Sequence, residues 1–433
     1  MLVSMPAGSN KRIYQRLEAD LAALAAQSRR RRLAFTDRSD RLIERDGQRL
    51  VNLAGNDYLA LSQHPHVIEA ARTALVEEGT GAGASRLITG SLTRHAALEQ
   101  RFAAFKHAEA ALLLPTGYLA NLAALTALAG PGDTICLDKL NHASLIDAAH
   151  MTGATVRTFP HRNYDKLERL LDRHARSTST AATSHDTSQP SASHWHASSN
   201  ESRAGHAFIV TDSVFSMDGD VADLPGLCDL AERYDAMLIV DEAHATGLLG
   251  DHGTGLAESQ QVADRVDVTI STASKGLGSL GGLITARQLV IDVVINHARS
   301  AIYTTAPPPA QAAAIDAALD VVEREPERRR RLHELSEHLR RELSRLGWVD
   351  EASRPTEASL TTPIVPIVVG GAERALALSE HLRQAGLLAP AIRYPTVPPG
   401  SERVRLSLRC DLTDRDINRL TDALARFNKP AAP

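Results

Sequence analysis

The sequence predicts an α/β protein: a large domain on a mostly parallel sheet, followed by a smaller α+β domain. Three observations predict it. Between about residues 50 and 305, short apolar runs alternate with helical patterns, and strands separated by helices imply a parallel sheet covered on both faces. After Ala306-Pro307-Pro308-Pro309 the texture changes to a long charged helix and two well-separated strand patterns. The 433 residues exceed one ordinary domain and suffice for a large core.

Taken in order, residues 1–49 form an N-terminal helical arm. Residues 11–27 read as an amphipathic helix with Ile13, Leu17, Leu21 and Leu24 on one stripe, followed by Arg29-Arg30-Arg31-Arg32. The large domain, 50–305, has strand-like runs at 110–114, 134–137, 155–159, 208–211, 237–240 and 266–270. Residues 177–205 interrupt it. They are rich in Ser, Thr, Ala and His, cannot bury enough apolar surface to offset their ordering entropy, and are expected to be a disordered insertion. Its histidines and the adjoining His206 lack the fixed spacing and the acidic or cysteine partners of a metal site. The small domain, 306–433, opens with a charged helix at 327–346, whose Leu332, Leu335, Leu339, Leu343 and Leu346 face inward and which Gly347 stops. Its Arg328–Arg331 run is expected to be a solvated face. Strands at 364–368 and 404–408 complete it.

Composition excludes several classes. A net charge of −4 argues against nucleic-acid binding. Cys136, Cys228 and Cys410 form neither a disulfide framework nor a zinc motif, which suits a reducing, cytoplasmic location. The N-terminus is too weakly apolar for a signal peptide, and no run reaches membrane-spanning length.

The chemistry is concentrated where polar residues follow apolar strands. The run 237–240 ends in Asp241-Glu242-Ala243-His244, and the next leads into Thr272-Ala273-Ser274-Lys275-Gly276. An Asp leaving a buried strand and a Lys leaving the next is the arrangement pyridoxal 5′-phosphate needs. The carboxylate pairs with the pyridine nitrogen and the amine holds the cofactor covalently. The competing readings are a surface-turn lysine and a nucleotide loop, since Gly276–Gly281 literally fits GxGxxG. A strand pattern rather than a helix follows that glycine run. Pro115-Thr116-Gly117-Tyr118 precedes a helical pattern at 119–128, and a helix N-terminus is a natural phosphate site. After another strand comes Asn141-His142-Ala143-Ser144, where an imidazole could stack on a pyridine ring or be merely structural. These polar strand ends point to one edge of the sheet, where such folds bind ligands.

The ordered set Asn56-Asp57-Tyr58-Leu59, Gly81-Ala82-Gly83-Ala84-Ser85-Arg86, Asn141-His142-Ala143-Ser144, Val214-Phe215-Ser216-Met217-Asp218-Gly219-Asp220, Asp241-Glu242-Ala243-His244 and Ser274-Lys275-Gly276 resembles the α-oxoamine synthases. The resemblance covers about residues 13–425, apart from the insertion. It implies a fold-type I pyridoxal-phosphate homodimer with its active site at the subunit interface, joining an amino acid to an acyl thioester with loss of CO2. Ile392-Arg393-Tyr394-Pro395-Thr396-Val397-Pro398 is most similar to the branch that uses L-alanine and a pimeloyl thioester, carried on coenzyme A or acyl carrier protein. The alternatives are glycine C-acetyltransferase or 5-aminolevulinate synthase activity, and a non-catalytic partner subunit.

The resemblance also implies roles. Lys275 would hold the cofactor and remove the Cα proton. Asp241 would face the pyridine nitrogen, His244 contact the phenolic oxygen, and Ser216 help position the ring. His142 would stack on the ring and fix the amino-acid carboxylate. Gly117, Tyr118 and Thr272 would hold the phosphate, with Thr304 and Thr305 reaching across from a second subunit. Asn56, Arg405 and Thr396 would engage substrate oxygens and Arg30 the acyl substrate. Arg393 would meet the far carboxylate of the acyl chain, brace its own loop, or serve the amino-acid carboxylate.

Overall fold

The computed structural model describes residues 11–27, 29–38, 40–181, 205–348 and 360–427. The described strands, in chain order, are β1 (Leu42–Arg45), β2 (Gln48–Asn52), β3 (Ala110–Leu114), β4 (Thr134–Asp138), β5 (Thr155–Phe159), β6 (Ala207–Asp212) and β7 (Ala236–Asp241). They continue with β8 (Val268–Thr272), β9 (Gly282–Ala286), β10 (Ile364–Val368), β11 (Leu387–Leu388), β12 (Ala391–Ile392) and β13 (Arg403–Ser407). Seven make the central sheet, in the order β3-β9-β8-β7-β6-β4-β5. Strand β9 runs antiparallel to both its neighbours, and the remaining pairs are parallel.

Side-chain alternation explains why the sheet is covered twice. Leu112, Leu114, Ile135, Leu137, Ile239 and Ile284 face one core, shared with the alanines of helix Gly117–Leu128. Leu113, Cys136, Leu238, Val240 and Leu283 face the other, shared with helix Pro309–Arg324. Successive strand residues point to opposite faces, so continuous apolar runs are what a doubly covered sheet requires.

Two smaller sheets complete the fold. Strands β10, β13 and β12 form an antiparallel sheet, while hairpin β1–β2 takes β11 alongside β2 in parallel. Val51 and Asn52 of β2 are thereby paired with Leu387 and Leu388, far along the chain.

Several expectations change. Strand β8 starts at Val268, because the Asp267 carboxylate accepts the Leu238 N–H at 2.7 Å instead of extending the ladder. Helix Gly117–Leu128 starts two residues before its apolar pattern, since Thr116 Oγ1 accepts the Leu119 N–H at 3.2 Å and caps it. Residues 177–181 are helical rather than disordered: helix Tyr164–Ala181 is anchored by buried Leu167, Leu170 and Leu171 and simply propagates past them. The rest of that insertion, 182–204, lies outside the described residues.

The arginine run is also not a uniformly solvated face. Arg328 pairs with Glu325 at 2.6 Å and donates to the Leu59 carbonyl at 3.2 Å. Arg329 reaches the Asp251 carbonyl at 2.8 Å, and Arg331 pairs with Asp414. Helix Glu327–Arg345 is thus tied to the backbone at Leu59 and Asp251 by side chains that its polarity alone placed in water. Its Leu332, Leu335, Leu339 and Leu343 are buried as expected, and Gly347 takes a positive φ of 69° beyond its end. Helix Arg12–Ala26 forms, yet Ile13, Leu17 and Leu21 are exposed on the single chain.

Candidate active site

The polar strand ends converge at the carboxyl edge of the parallel sheet. Asp212 closes β6, Asp241 closes β7 and Thr272 closes β8, with Asp212 and Asp241 side by side in register. Lys275 follows three residues after β8, in a tight turn. There a Cβ on Gly276 would come within 2.6 Å of the Thr246 carbonyl oxygen, so only glycine fits.

Lys275 Nζ lies 2.8 Å from His244 Nε2, and His244 Nδ1 lies 2.7 Å from the Tyr58 hydroxyl. Arg405, on β13, extends the chain. Its Nε donates to the Ser216 carbonyl at 2.5 Å, and its remaining nitrogens donate to Ser407 Oγ at 2.7 Å, Asn56 Oδ1 at 3.3 Å and Tyr58 Oη at 3.5 Å. Arg405 is therefore linked to Lys275 through Tyr58 and His244.

Electrostatics follow from burial. The Lys275 ammonium is pulled down to about 8, chiefly by desolvation and further by Arg405, while Asp241 and Asp212 oppose the fall. His244 is held well below the usual imidazole range by burial and then by the charge of Lys275, so it is neutral at pH 7. Burial likewise lowers His142. Asp212 is pushed well above the carboxylate range by burial and then by the charge of Asp241.

The Asp241 carboxylate accepts two N–H groups. The Ala243 N–H donates to its Oδ1 at 2.8 Å and the Asn121 amide to its Oδ2 at 2.7 Å. His142 is the N-cap of helix Ala143–Met151, its own N–H donates to Asp212 at 2.7 Å, and its Nδ1 lies 2.7 Å from Ser144 Oγ.

At Gly117, the first residue of its helix, an added Cβ would press on Thr272 Cβ at 3.1 Å and Oγ1 at 3.2 Å. The helix N-terminus therefore sits directly against the end of β8. Tyr118 is half-exposed and hydrogen-bonds to Asp147. Thr272 Oγ1 bonds Ser274 Oγ at 2.8 Å and donates to the Gly281 carbonyl at 3.0 Å.

Apart from Gly117, Tyr118 and Thr272, the sequence-derived residues divide into three groups. Lys275, His244, Asn56, Arg405 and Ser216 form one hydrogen-bonded network. Asp241 and His142 are joined in a second one through Asn121 and Ser144, and Lys275 feels the charge of Asp241. The third group lies elsewhere on the chain. Thr304 lines a small apolar cleft with Arg86, Leu114 and Pro307, and Thr305 bridges to Ser85. Arg30 is exposed. Its neighbours Arg29 and Arg31 reach Tyr394, 4.6 Å from the ring centroid, and Thr396, at 3.4 Å, so the N-terminal arginine run packs on the segment carrying Arg393 and Thr396.

Sequence reasoning missed Tyr58, Asn121, Ser144 and Asp212 as site residues. Tyr58, Ser144 and Asp212 stand inside or beside motifs already singled out. Asn121 carries no such signal, since a single polar residue in an Ala- and Leu-rich helix could face anywhere.

The donor set fits pyridoxal 5′-phosphate. A lysine with a depressed ammonium suits an aldehyde, a carboxylate held by two N–H groups suits a protonated ring nitrogen, and a helix N-terminus lies against the strand that leads into the lysine.

Comparison with known proteins agrees. The family model described as aminotransferase class I and II matches residues 48–424. The chain is 41% identical over 381 residues to the 8-amino-7-oxononanoate synthase of Stutzerimonas stutzeri, covering 88% of each chain. It is 40% identical over 387 residues to the enzyme of the same name from Geobacter sulfurreducens, covering 89% of this chain and 90% of that one. Among solved structures, the Sphingomonas wittichii serine palmitoyltransferase superposes with a TM-score of 0.82 at 26% identity, covering 96% of this chain and 98% of the other. The chain therefore belongs to the aminotransferase class I and II family, in its 8-amino-7-oxononanoate synthase group, and is a pyridoxal 5′-phosphate-dependent acyltransferase.

Proposed function

We propose that the protein condenses L-alanine with a pimeloyl thioester, on acyl carrier protein or coenzyme A, to give 8-amino-7-oxononanoate, CO2 and the free carrier in biotin biosynthesis. The observation that carries the reading is the contact of Lys275 Nζ with His244 Nε2 beside the buried Asp241. It is the constellation expected of the family, on a chain about 40% identical to relatives named for that product.

When bound, the cofactor supplies an electron sink for the carbanion formed at the amino-acid Cα. The chain's own residues do the rest. Lys275, with its ammonium lowered to about 8, is partly neutral near physiological pH, so its Nζ can take the Cα proton of L-alanine. Asp241 would face the ring nitrogen and accept the hydrogen bond of its N–H. Neutral His244, braced at Nδ1 by Tyr58, presents Nε2 to the phenolic oxygen. His142 covers the ring face and orients the amino-acid carboxylate, which Arg405 and Asn56 receive. Ser216, held through its carbonyl by Arg405, positions the ring. Gly117, Tyr118 and Thr272 hold the phosphate, and Thr396, Arg30 and Arg393 meet the acyl substrate.

The assembly we propose is a homodimer in which Thr304 and Thr305 reach the partner's phosphate site. Exposed Leu87, Ile88 and Tyr303 around that segment support it, since apolar side chains of this size seldom cluster in water. A cytoplasmic location is supported by three buried, unpaired cysteines, and no helix among the described residues is long and apolar enough to cross a membrane.

The test is CO2 release from carboxyl-labelled L-alanine. Release that depends on added pimeloyl thioester supports the reading. Turnover of glycine with an acetyl or succinyl thioester, and none with L-alanine, would replace it.

A further inference from the structure

Helix Gly117–Leu128 brings Asn121 to the base of the site, where it is buried among Ala120, Ala123 and Ala124. Its amide nitrogen has two hydrogens and places both: one on Ser144 Oγ at 2.7 Å, one on Asp241 Oδ2 at 2.7 Å. Its Oδ1 is buried and has no hydrogen-bond partner among the described residues.

This amide can face only one way. Turned over, it would set its carbonyl oxygen against the Asp241 carboxylate. The polarity then propagates. Ser144 Oγ receives an Asn121 N–H, and the Ser144 backbone N–H points at His142 Nδ1 at 3.3 Å, so Nδ1 is an acceptor. The Ser144 hydroxyl, 2.7 Å from the same nitrogen, donates to it, which leaves the ring proton on Nε2.

We infer that Asn121 is a positioning residue, one amide that orients the Asp241 carboxylate and, through the Ser144 hydroxyl, braces His142 at Nδ1. The inference rests on the roles proposed above for Asp241 and His142, but not on which amino acid or thioester is used. A purely structural origin accounts poorly for the residue. An apolar side chain on this alanine-lined face would avoid stranding a carbonyl oxygen away from water, whereas asparagine strands one in order to place two donors.

The experiment compares the cofactor-loaded wild type with Asn121→Ala, Asn121→Asp and Ser144→Ala. It reads the dissociation constant for pyridoxal 5′-phosphate, the visible absorption spectrum and the 15N shifts of the His142 ring. Losing a hydrogen bond to a charged group predicts a rise in that constant of about 10- to 100-fold in Asn121→Ala, with a shifted absorption band. Asn121→Asp, which sets a second carboxyl against Asp241, should perturb the band at least as much. In Ser144→Ala the constant should change by about threefold or less, while the His142 Nδ1 shift moves toward that of a more weakly hydrogen-bonded acceptor, because the hydroxyl donor is lost and the backbone N–H remains.

A lower melting temperature in Asn121→Ala with unchanged affinity, spectrum and ring shifts would overturn the inference. So would an unmoved His142 Nδ1 shift in Ser144→Ala, a variant that also decides the matter if the Asn121 variants fail to fold. If wild type itself gains no absorption band with the cofactor, or Lys275→Ala keeps the wild-type band, the reading of the site fails instead.

Discussion

Replacing Lys275 by methionine should stabilise the cofactor-free protein at neutral pH, although it destroys activity. The lysine's ordinary value of 10.5 falls to about 8 in the fold, mainly through burial. At pH 7 the folded state therefore pays for holding a charged amine where the unfolded chain does not. A fall of about 2.5 pH units corresponds to about 3 kcal/mol in full, and partial water access to the side chain reduces this to roughly 1.5 kcal/mol.

The sign follows from proton counts. Between pH 8 and 10.5 the unfolded lysine is protonated and the folded one is not, so the stability lost below pH 8 is recovered across this window and is complete above 10.5. Methionine fills a similar stem volume without charge. Urea unfolding of both proteins at pH 7 and pH 10 should show a gain of about 1.5 kcal/mol shrinking to about a quarter of that. Equal differences at the two pH values, or a destabilised variant at pH 7, would refute the reasoning.

Other expectations follow from the same physics. Lys106→Met should cost about 3–5 kcal/mol in urea unfolding, because it leaves Glu242, buried and 2.6 Å from the lysine, without its counter-charge. Adding Glu242→Gln should recover part of that loss. His161 sits between Asp138 at 3.1 Å and Asp220 at 2.7 Å, and despite burial these carboxylates raise it to about 9. Its contribution should be complete below pH 6.5 and lost as pH rises through 9, so His161→Gln should destabilise by roughly 2 kcal/mol at pH 6 and little at pH 10. Arg393→Leu should raise KM for a pimeloyl thioester far more than for an uncharged acyl thioester of equal length; equal losses with both would assign the arginine to its loop or to the amino-acid carboxylate.

The sheet was legible because apolar runs of five or six residues, each ending in polar residues, fit little besides strands buried on both faces. The same ends carried Asp241, His244 and Lys275. Less legible were the residues that link them. Asn121 is one polar position in an apolar helix, and its contact with Asp241 spans 120 residues. Arg405 reaches Asn56 across 349 positions, a closure that periodicity cannot foretell. Arg328 and Arg329 misled for a related reason: a run of charge looks solvated until backbone carbonyls from another element come within reach. Local pattern places strands and motifs, whereas long-range hydrogen bonds decide which polar side chains become structural.

The most direct test of the account is product identification. Purified protein loaded with pyridoxal 5′-phosphate, given L-alanine and a pimeloyl thioester, should yield 8-amino-7-oxononanoate by mass spectrometry, with one free carrier thiol per molecule formed and none from Lys275→Ala. Absence of that amino ketone, alongside turnover of glycine with a short acyl thioester by the same preparation, would contradict it.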